Sequence, residues 1–333
     1  MAARPTVTME MVGRIAGVSQ VTVSRALSDP AKVSPATLKR IRDAIAVTGF
    51  VPNALAGALA SRRSRLVSTL VPSITNITYS SMVKTFGAQM RAHGYQLMLS
   101  ECGFDPVEEE AVITTHLSRR PDAMLLVGTR HSTPARKMLL AAGIPVVEVW
   151  DLTQSPIDLC VGFSHVEAGR AAARFAVEAG YARAACATAS DERALRRKDA
   201  FRTEFTALTG TKVPETCLEA EASLGMGRTA LSRLLDSGGF DRGLVFCSSD
   251  LIAHGILVEA RARDLSVPGD IAILGFGDQA FAADTAPALT SVRVDRASLG
   301  ASAAQAILGR LGGSTPTEAV IDIGFEIVRR ESA

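Results

Sequence analysis

The segment VSQVTVSRAL at positions 18–27 constrains this chain more than any other stretch. In the segment before it, Met9, Val12 and Ala16 recur at helical spacing, and Gly17 would end that helix. The pattern predicts two short helices joined by a tight turn.

The second helix should bury one side and expose the other. Ser19 can cap it with a hydroxyl, and Val18, Val23 and Leu27 share the side that would face the first helix. The other side carries short polar, methyl-bearing and guanidinium side chains, which suit base edges and phosphates in a major groove. These are Gln20, Val21, Thr22, Ser24 and Arg25. The pattern favours a helix-turn-helix unit, although a structural helix pair would show the same turn and apolar positions.

A third helix would complete this head. Ser34 and Pro35 form an N-cap and first-turn pair, and Gly49 stands where the helix would stop. Between them one apolar stripe is formed by Leu38, Ile41 and Ile45. We therefore expect a three-helix N-terminal unit.

Charge is divided unevenly along the chain. Residues 1–65 contain ten Lys and Arg and three Asp and Glu, whereas residues 66–333 contain 26 and 31. The formal net charge of +2 therefore conceals a basic head on an acidic body. A basic module attached to a different domain is typical of nucleic-acid-binding proteins.

Three motifs in order resemble the lactose-repressor (LacI) family of bacterial transcription regulators. They are GVSQVTVSRAL, KVSPATLKRIRDAI and TGFVPNALAGALASRRS, and the similarity continues to the C-terminus. The resemblance implies double-stranded operator DNA as a partner. The candidate DNA-binding residues are Thr8, Ser19, Gln20, Val21, Thr22, Ser24, Arg25, Asn53, Ala56 and Leu59.

The segment FVPNALAGALA at positions 50–60 looks like the hinge helix of that family. Pro52 and Asn53 would end the head and start a helix of about two turns, which should be marginal by itself. In the family this helix folds on operator DNA, pairs with its dimer mate and inserts a leucine into the minor groove, and Leu59 matches that leucine. A homodimer on a roughly palindromic operator is implied, unless Leu59 simply covers the sensor domain.

Composition and motifs argue against other classes of protein. The apolar runs are too short to span a bilayer and MAARPTVTMEM contains no apolar signal segment, so we expect a cytoplasmic protein without membrane partners. Five dispersed cysteines and five scattered histidines indicate neither a disulfide framework nor a metal site. Nucleotide-binding and zinc-protease motifs are missing, and GFSHV at position 162 lacks the closing glycine of a nucleophile elbow. We expect neither catalysis nor a cofactor.

From residue 66 onward, apolar runs of strand length alternate with helical segments over a length that fits two parallel sheets. The expected fold is a small all-α helix-turn-helix head plus hinge helix, followed by an α/β sensor of two parallel-sheet lobes. The resemblance implies a periplasmic-binding-protein-like sensor with a ligand cleft and crossovers near Phe163, Pro287 and Ala319. The expected boundaries are 1–50 for the head, 51–65 for the hinge and linker, and 66–333 for the effector-binding and dimerisation domain, with an N-lobe of about 66–163 plus 288–318 and a C-lobe of about 164–287 plus 319–333.

Matching the family pattern implies an effector cleft built from several loops. Ser73 and Asn76 follow the first strand, and Phe163 lies at a crossover. Asp151 and Arg197 fall on positions that grip hydroxyl or ring groups of ligands in the family. For each charged residue a solvated loop is the alternative.

Two loops depart from the family pattern. Many sensors carry Asn-Asp after one C-lobe strand and an Asp pair after the next, whereas here the corresponding residues are Ser249-Asp250 and Gly277-Asp278. The change removes an amide and a carboxylate that usually hold sugar hydroxyls. A less acidic pocket would tolerate an anionic ligand.

A narrower resemblance links the chain to the gluconate-operon repressor branch. It rests on NITYSS at position 76, GTRHS at position 128 and PVVEVWDLTQSPIDLCVGFSHVEAGR from position 145. A sugar acid would need a carboxylate clamp, with Arg197 and Arg130 as candidates, and hydroxyl acceptors, with Glu148 and Asp151 as candidates. Trp150 either stacks on the carbon chain or packs beneath the loop.

The sequence therefore predicts a DNA-binding repressor that a small sugar-like effector controls, with gluconate or a related sugar acid as inducer. Alternatives are a neutral pentose or hexose, a corepressor, and a stand-alone sugar-binding protein. The candidate effector-binding residues are Ser73, Asn76, Arg130, Glu148, Trp150, Asp151, Phe163, Arg197, Ser249, Asp250 and Asp278.

Overall fold

A computed structural model describes residues 7–52, 63–219, 222–314 and 318–333. The chain divides into two compact units, Met1–Ser64 and Arg65–Ala333. The predicted hinge contacts Asn53, Ala56 and Leu59 lie outside the described residues, so their role stays a prediction.

The first unit contains a three-helix head. Its helices are α1 (Met9–Ala16), α2 (Gln20–Ser28) and α3 (Pro35–Thr48), with a 3-10 turn at Pro30–Lys32. As predicted, Gly17 and Gly49 end α1 and α3, each with a φ of 64°, a left-handed conformation that favours glycine. The predicted caps Ser19 and Ser34 accept hydrogen bonds from backbone N–H groups one turn into α2 and α3.

All three helices contribute to the core of the head. Its buried residues are Val12, Ala16, Val23, Ala26, Ile41, Ala44 and Phe50. Leu27, which we predicted to face α1, is 38% exposed, because the buried side of α2 passes through Val23 and Ala26 instead. A Cβ on Gly13 would lie 2.8 Å from the carbonyl oxygen of Val18, so this glycine allows the turn to fold back onto α1.

The second unit contains two six-stranded sheets. The strands are β1 (Leu66–Val71), β2 (Gln96–Glu101), β3 (Ala123–Val127), β4 (Val146–Val149), β5 (Leu159–Gly162), β6 (Ala184–Ala189), β7 (Glu215–Leu218), β8 (Gly243–Cys247), β9 (Ile271–Gly277), β10 (Thr290–Arg293), β11 (Val320–Asp322) and β12 (Glu326–Val328). The first sheet has the order β11-β5-β4-β3-β1-β2 and the second has β12-β10-β9-β8-β6-β7. Neighbouring described strands are parallel, except that β12 runs antiparallel to β10.

Helices cover both faces of each sheet. They are α4 (Ile77–Ala92), α5 (Pro106–Ser118), α6 (Thr133–Ala141), α7 (His165–Glu178), α8 (Glu192–Thr209), α9 (Leu224–Asp236), α10 (Asp250–Ala262) and α11 (Arg296–Leu311). In the N-lobe, built on the first sheet, α4 packs with α11 and α5 packs with α6. In the C-lobe, built on the second sheet, α7 packs with α8 and α9 packs with α10. Buried strands between helical layers explain why the strand segments read as apolar runs.

The strand order reverses once in each sheet, between β1 and β3 in the N-lobe and between β6 and β8 in the C-lobe. Loops that leave the carboxyl ends of these neighbouring strands diverge to opposite faces of the sheet. They leave a crevice there, which is where ligands bind in sheets of this kind.

The chain crosses between the lobes three times, and two of the crossovers differ from the prediction. The first follows β5 near Phe163, as expected. The second follows β10 rather than preceding it near Pro287, because β10 pairs in parallel with β9 in the second sheet. The third follows β11 rather than lying near Ala319, because β11 pairs with β5. These pairings correct the predicted lobe boundaries at 287/288 and 318/319.

Candidate functional site

In the head, the exposed side of α2 presents most of the predicted DNA-contacting set. Exposed there are Gln20, Val21, Ser24 and Arg25. Thr22 is half-buried, and its hydroxyl lies 2.9 Å from that of Ser19, which also caps the helix. Thr8 caps α1 by accepting a hydrogen bond from the backbone N–H of Met11 at 3.3 Å. Short polar groups and helix N-termini are therefore available together, an arrangement that suits phosphate and base contacts.

In the second unit, a cavity of about 260 Å³ lies at the reversal point of the first sheet and is closed on the other side by the loop after β6. Its N-lobe wall is formed by Pro72, Cys102, Gly103, Phe104, Asp105, Pro106, Glu109, Val127, Gly128, Thr129, Arg130 and Asp151. Its C-lobe wall is formed by Ser190, Asp191, Glu192 and Arg193. Carboxylates, guanidinium groups and a hydroxyl line a space that suits a small polar molecule.

Three polar contacts join the lobes beside this cavity, and the C-lobe partner in each lies in the first two turns of α8. They are the ion pair of Arg130 Nη1 with Glu192 Oε1 at 2.9 Å, the hydrogen bond from Arg193 Nη2 to the Tyr79 hydroxyl at 2.7 Å, and the ion pair of Arg196 with Asp151. The start of α8 is therefore the part of the C-lobe that bonds to the N-lobe across the cavity.

Arg197 is buried next to these contacts among neutral groups. Its guanidinium donates to His165 Nδ1 at 2.8 Å and to the carbonyl oxygen of Ser248 at 3.1 Å, and its carbon lies 3.8 Å from the Phe276 ring centroid. In the part of the chain that the structure describes, no carboxylate forms an ion pair with it, and its Nε has no hydrogen-bond partner. Burial lowers the pKa of Arg197 to about 10.

His165 connects Arg197 to the N-lobe. Because its Nδ1 accepts from Arg197, the ring proton is on Nε2, which donates to the carbonyl oxygen of Trp150 at 2.8 Å. Burial, and then the charge of Arg197, hold the pKa of His165 well below its usual value. The neutral ring therefore links a C-lobe cation to an N-lobe backbone carbonyl.

Trp150 belongs to an aromatic cluster at the first crossover. Its ring packs edge-on against Tyr79 and Phe163, with centroid separations of 5.9 Å and 6.1 Å. The residue is 4% exposed and its Nε1 has no hydrogen-bond partner among the described residues. Its φ of 74° directs the chain from β4 into the loop that carries Asp151.

Comparison with known proteins identifies both units. Residues 8–53 match the family described as bacterial regulatory proteins, lacI family, and residues 173–333 match a periplasmic binding protein-like domain. The HTH-type transcriptional regulator GntR of Pseudomonas aeruginosa is 36% identical over 328 residues, which cover 98% of this chain and 95% of the relative.

This chain belongs to the LacI family.

Solved structures of LacI-family regulators agree with that assignment. The crystal structure of a family member from Silicibacter pomeroyi is 32% identical with a TM-score of 0.91, and covers 98% of this chain and 99% of its own. A complex of the transcriptional regulator CelR with cellobiose is 27% identical with a TM-score of 0.69, and covers 99% of this chain and 100% of its own. The relatives are regulators and not enzymes, so this LacI-family chain is a DNA-binding transcriptional regulator.

Two of the residues predicted to bind effector line the cavity of this LacI-family chain, and others lie outside its wall. Arg130 and Asp151 line the cavity, and Arg197, Trp150 and Phe163 surround His165 next to it. Two further residues follow β1, where the Ser73 hydroxyl lies 3.0 Å from that of Thr75 and Asn76 caps α4.

Glu148 is not brought to the cavity. Its side chain is fully buried on β4, where Oε2 accepts from the backbone N–H of Ile157 at 2.6 Å and Oε1 lies 3.4 Å from His131 Nε2. Glu148 is a buried ion-pair partner and not a wall residue.

The acidic C-lobe residues also have partners of their own. Ser249 caps α10, accepting from the backbone N–H of Ile252 at 3.3 Å. Asp250 is fully buried and accepts from the Ser291 hydroxyl and the backbone N–H of Gln279, both at 2.6 Å. Burial raises the pKa of Asp250 to about 6.

Asp278 joins two arginines next to the second crossover. Its carboxylate accepts from Arg293 Nε at 2.6 Å and from Arg330 Nη1 at 2.7 Å. Burial would raise the pKa of this carboxyl, but the two arginines lower it below its usual value. The structure therefore gives Asp278 a place in the packing around the crossovers and does not place it in the cavity wall.

Sequence reasoning missed several residues of the site. They are Tyr79, Glu109, His165, Arg193 and Arg196. Arg193, Arg196 and Arg197 are spaced by three and four residues, which places them on one side of a helix start. This spacing could have predicted that the three arginines lie together. No local pattern predicts the hydrogen bond between Arg193 and Tyr79, which are more than a hundred positions apart.

Two further features are absent from the residues that the structure describes. Among these residues no helix is long and apolar enough to cross a membrane. They also contain no group of three or more His, Cys, Asp and Glu side chains placed to hold a metal ion.

Proposed function

We propose that this LacI-family regulator is a homodimeric repressor that leaves its operator when a sugar acid binds in the cleft, with gluconate as the first candidate. The environment of Arg197 is the observation that supports an acidic effector. A buried cation whose hydrogen-bond partners are all neutral is costly by several kcal/mol, and a carboxylate beside it would offset that cost. Its Nε is a buried donor that such a carboxylate would satisfy.

The chemistry of the surrounding groups supports an anionic ligand. Asp250 and Asp278, the C-lobe carboxylates nearest the usual sugar-binding positions, are occupied by hydroxyl, amide and guanidinium donors. Arg193 is a cation in the cavity wall whose hydrogen-bond partner is the neutral Tyr79 hydroxyl, and it lies one helical turn before Arg197. Two wall carboxylates at this end of the cleft, Asp151 and Glu192, are each paired with an arginine, which reduces their repulsion of an acid.

Within the class of sugar acids, the sequence favours gluconate. NITYSS, GTRHS and the segment from position 145 resemble the gluconate-operon repressor branch, and each of them contributes to the cleft or its floor. Tyr79, Arg130, Trp150 and Asp151 all lie in these segments.

The head supports operator binding through α2. Its exposed side offers Gln20, Val21, Ser24 and Arg25 to base edges and phosphates, and the 1–65 segment is strongly basic. In a homodimer two heads would occupy half-sites about one helical turn apart, with Leu59 of the hinge at the centre. Such a regulator acts where the DNA is, in the cytoplasm.

Effector binding would act by biasing the arrangement of the two lobes. Polar contacts across the cavity already join them, so a ligand that adds or replaces these contacts changes how the lobes are held. To change the operator from mostly bound to mostly free, the ligand must favour the DNA-incompetent arrangement by about 5 kcal/mol.

A neutral sugar is the second candidate, because Asp151, Asp191 and Glu192 in the cavity wall could accept hydroxyl hydrogen bonds. The CelR–cellobiose complex shows a neutral sugar bound to a relative of this chain. The unpaired charge of Arg197 would then remain uncompensated, which is why we place the acid first.

The test is fluorescence anisotropy of the full-length protein on a labelled palindromic fragment from upstream of its own gene. It is titrated with gluconate, with glucitol, which has the same hydroxyl chain but no carboxylate, and with ribose. Release by gluconate alone is the expected result. Release by glucitol or ribose at equal concentrations would replace the acid with a neutral ligand, and tightening by any of them would reverse the sign of the response.

A further inference from the structure

A buried ion cluster lies directly behind the N-lobe wall of the cavity. The His131 ring is flanked by Glu109, whose oxygens lie 3.0 Å and 2.9 Å from Nδ1, and by Glu148, whose Oε1 lies 3.4 Å from Nε2. The His131 side chain is 1% exposed and that of Glu148 is 0% exposed. Three separate elements, α5, β4 and the loop after β3, meet at this cluster.

The two carboxylates of the cluster differ in how much of their hydrogen-bond acceptor capacity is unused. Glu148 is enclosed and also accepts the backbone N–H of Ile157. Glu109 lines the cavity, and its side chain is 11% exposed. Its two oxygens share a single donor, the Nδ1–H of His131, and no other donor among the described residues reaches them. Since a carboxylate can accept about four hydrogen bonds, most of its capacity faces the cavity unused.

His131 is the positively charged member of this cluster. Burial alone would lower the pKa of His131, but the hydrogen bond to Glu109 and the nearby carboxylate of Glu148 raise it to about 9. The imidazolium is therefore present at neutral pH. With two carboxylates and one imidazolium the cluster retains an excess of negative charge, which favours O–H donors and disfavours a second anion.

We propose that Glu109 is an effector-binding residue that accepts hydrogen bonds from the hydroxyl groups of a polyhydroxylated ligand. This inference rests on the proposed function. In the orientation it gives, the carboxylate of a sugar acid faces Arg193 and Arg197, and the hydroxylated tail faces Glu109. The cavity wall contains Arg193 in the C-lobe and Glu109 in the N-lobe, so one ligand reaches both. The effector class is then a linear polyhydroxy acid long enough to span the lobes, and a short acid would meet only the arginines.

The experiment measures binding by isothermal titration calorimetry of full-length wild type and Glu109→Gln with three probes: gluconate, glucitol and glycerate. Glu109→Gln should bind gluconate about tenfold or more weakly than wild type, since a hydrogen bond to a charged group is lost. Its affinity for glycerate, which has the carboxylate but no distant hydroxyls, should be unchanged. Glu110→Gln is the matched control, because Glu110 bonds to Ser132 outside the cavity wall and should leave all three affinities unchanged.

The outcomes separate this inference from the acid assignment. Equal affinity of wild type and Glu109→Gln for gluconate and glucitol would overturn the role of Glu109. If wild type binds glucitol as tightly as gluconate, the acid assignment is overturned. If Glu109→Gln also lowers both of these affinities, the role of Glu109 as a hydroxyl acceptor is supported. Wild type that binds none of the probes would overturn both. If Glu109→Gln is unfolded by thermal melting, gluconate analogues that lack one distal hydroxyl are measured on wild type, and no loss for any of them would overturn the proposal.

Discussion

The carboxylate of Asp151, directly after β4, forms an ion pair with the guanidinium of Arg196 on α8 and so joins the two lobes. The Asp151 side chain is 5% exposed and that of Arg196 is 33% exposed. Because Asp151 already has a charged partner, an effector hydroxyl that binds it must share this carboxylate with Arg196. The role that the structure shows for this pair is therefore a contact between the lobes.

This relationship predicts strong coupling between Asp151→Asn and Arg196→Gln. Each single change should weaken effector binding by about 1 kcal/mol, and the double variant should be no weaker than either single, because all three lose the same contact. Calorimetric titration of wild type, the two single variants and the double variant with effector gives the coupling energy of this double-mutant cycle. Additive losses would show instead that Asp151 and Arg196 act on the ligand independently.

Arg197→Met should separate effector response from stability. Replacing a buried charge that has no carboxylate partner by an apolar side chain of similar length is often neutral or stabilising. We therefore expect a thermal midpoint within about 2 °C of wild type or above it, together with an effector midpoint raised about tenfold or more. Anisotropy measures the effector midpoint and thermal melting measures stability. An unchanged effector midpoint would mean that another arginine binds the effector carboxylate.

Operator binding should weaken steeply with salt, because arginines of the head displace counterions from phosphates. The slope of log affinity against log salt should be about −0.9 for each phosphate contact, and Arg25→Gln should reduce it by about one contact. Arg233→Gln, an equal charge change at an exposed position of α9, should leave the slope as it is. A flat salt dependence of the wild type would count against a phosphate-anchored head.

The His131 cluster predicts a loss of stability in alkali. The folded pKa of His131, about 9, is above its ordinary value of 6.5, so its contribution is fully present below 6.5 and is lost as pH rises through 9. Thermal midpoints of wild type and His131→Gln should differ most at about pH 6 and converge by about pH 10. A difference that is constant over this range would mean that His131 is not charged in the folded protein.

Leu59→Ser tests the hinge, which lies outside the described residues. If Leu59 enters the minor groove, the change should weaken operator binding about tenfold or more while effector affinity and thermal stability stay as in wild type. Unchanged operator affinity would remove the wedge role, and a lowered thermal midpoint would indicate that Leu59 covers the sensor domain.

Local patterns in sequence were sufficient for the head and most of the sheets. Gly17, Ser19, Ser34 and Gly49 act on neighbouring residues, so their caps and stops could be predicted one by one. Strands such as β3 are buried on both faces and therefore appear as apolar runs. Leu27 was misplaced because helical spacing allowed either Ala26 or Leu27 on the buried side, and packing selected the smaller residue.

Long-range pairing limited the rest. β10 and β11 are short and partly polar, so their sheet membership, and hence two crossovers, followed from pairing partners far away in sequence. The same limit applies to the site. Arg197 could be matched to a family position, but the neutral His165 that holds it and the Glu109–His131 pair arise from contacts between separate elements.

Gly169 on α7 has a mechanical consequence. A Cβ there would lie 2.2 Å from the carbonyl oxygen of Arg197, so α7 and α8 touch backbone to backbone at the level of the buried guanidinium. Interlocked helices of this kind shift as one rigid body. Any displacement of Arg197 would therefore be passed to the start of α7, where His165 donates to the carbonyl oxygen of Trp150 at the first crossover.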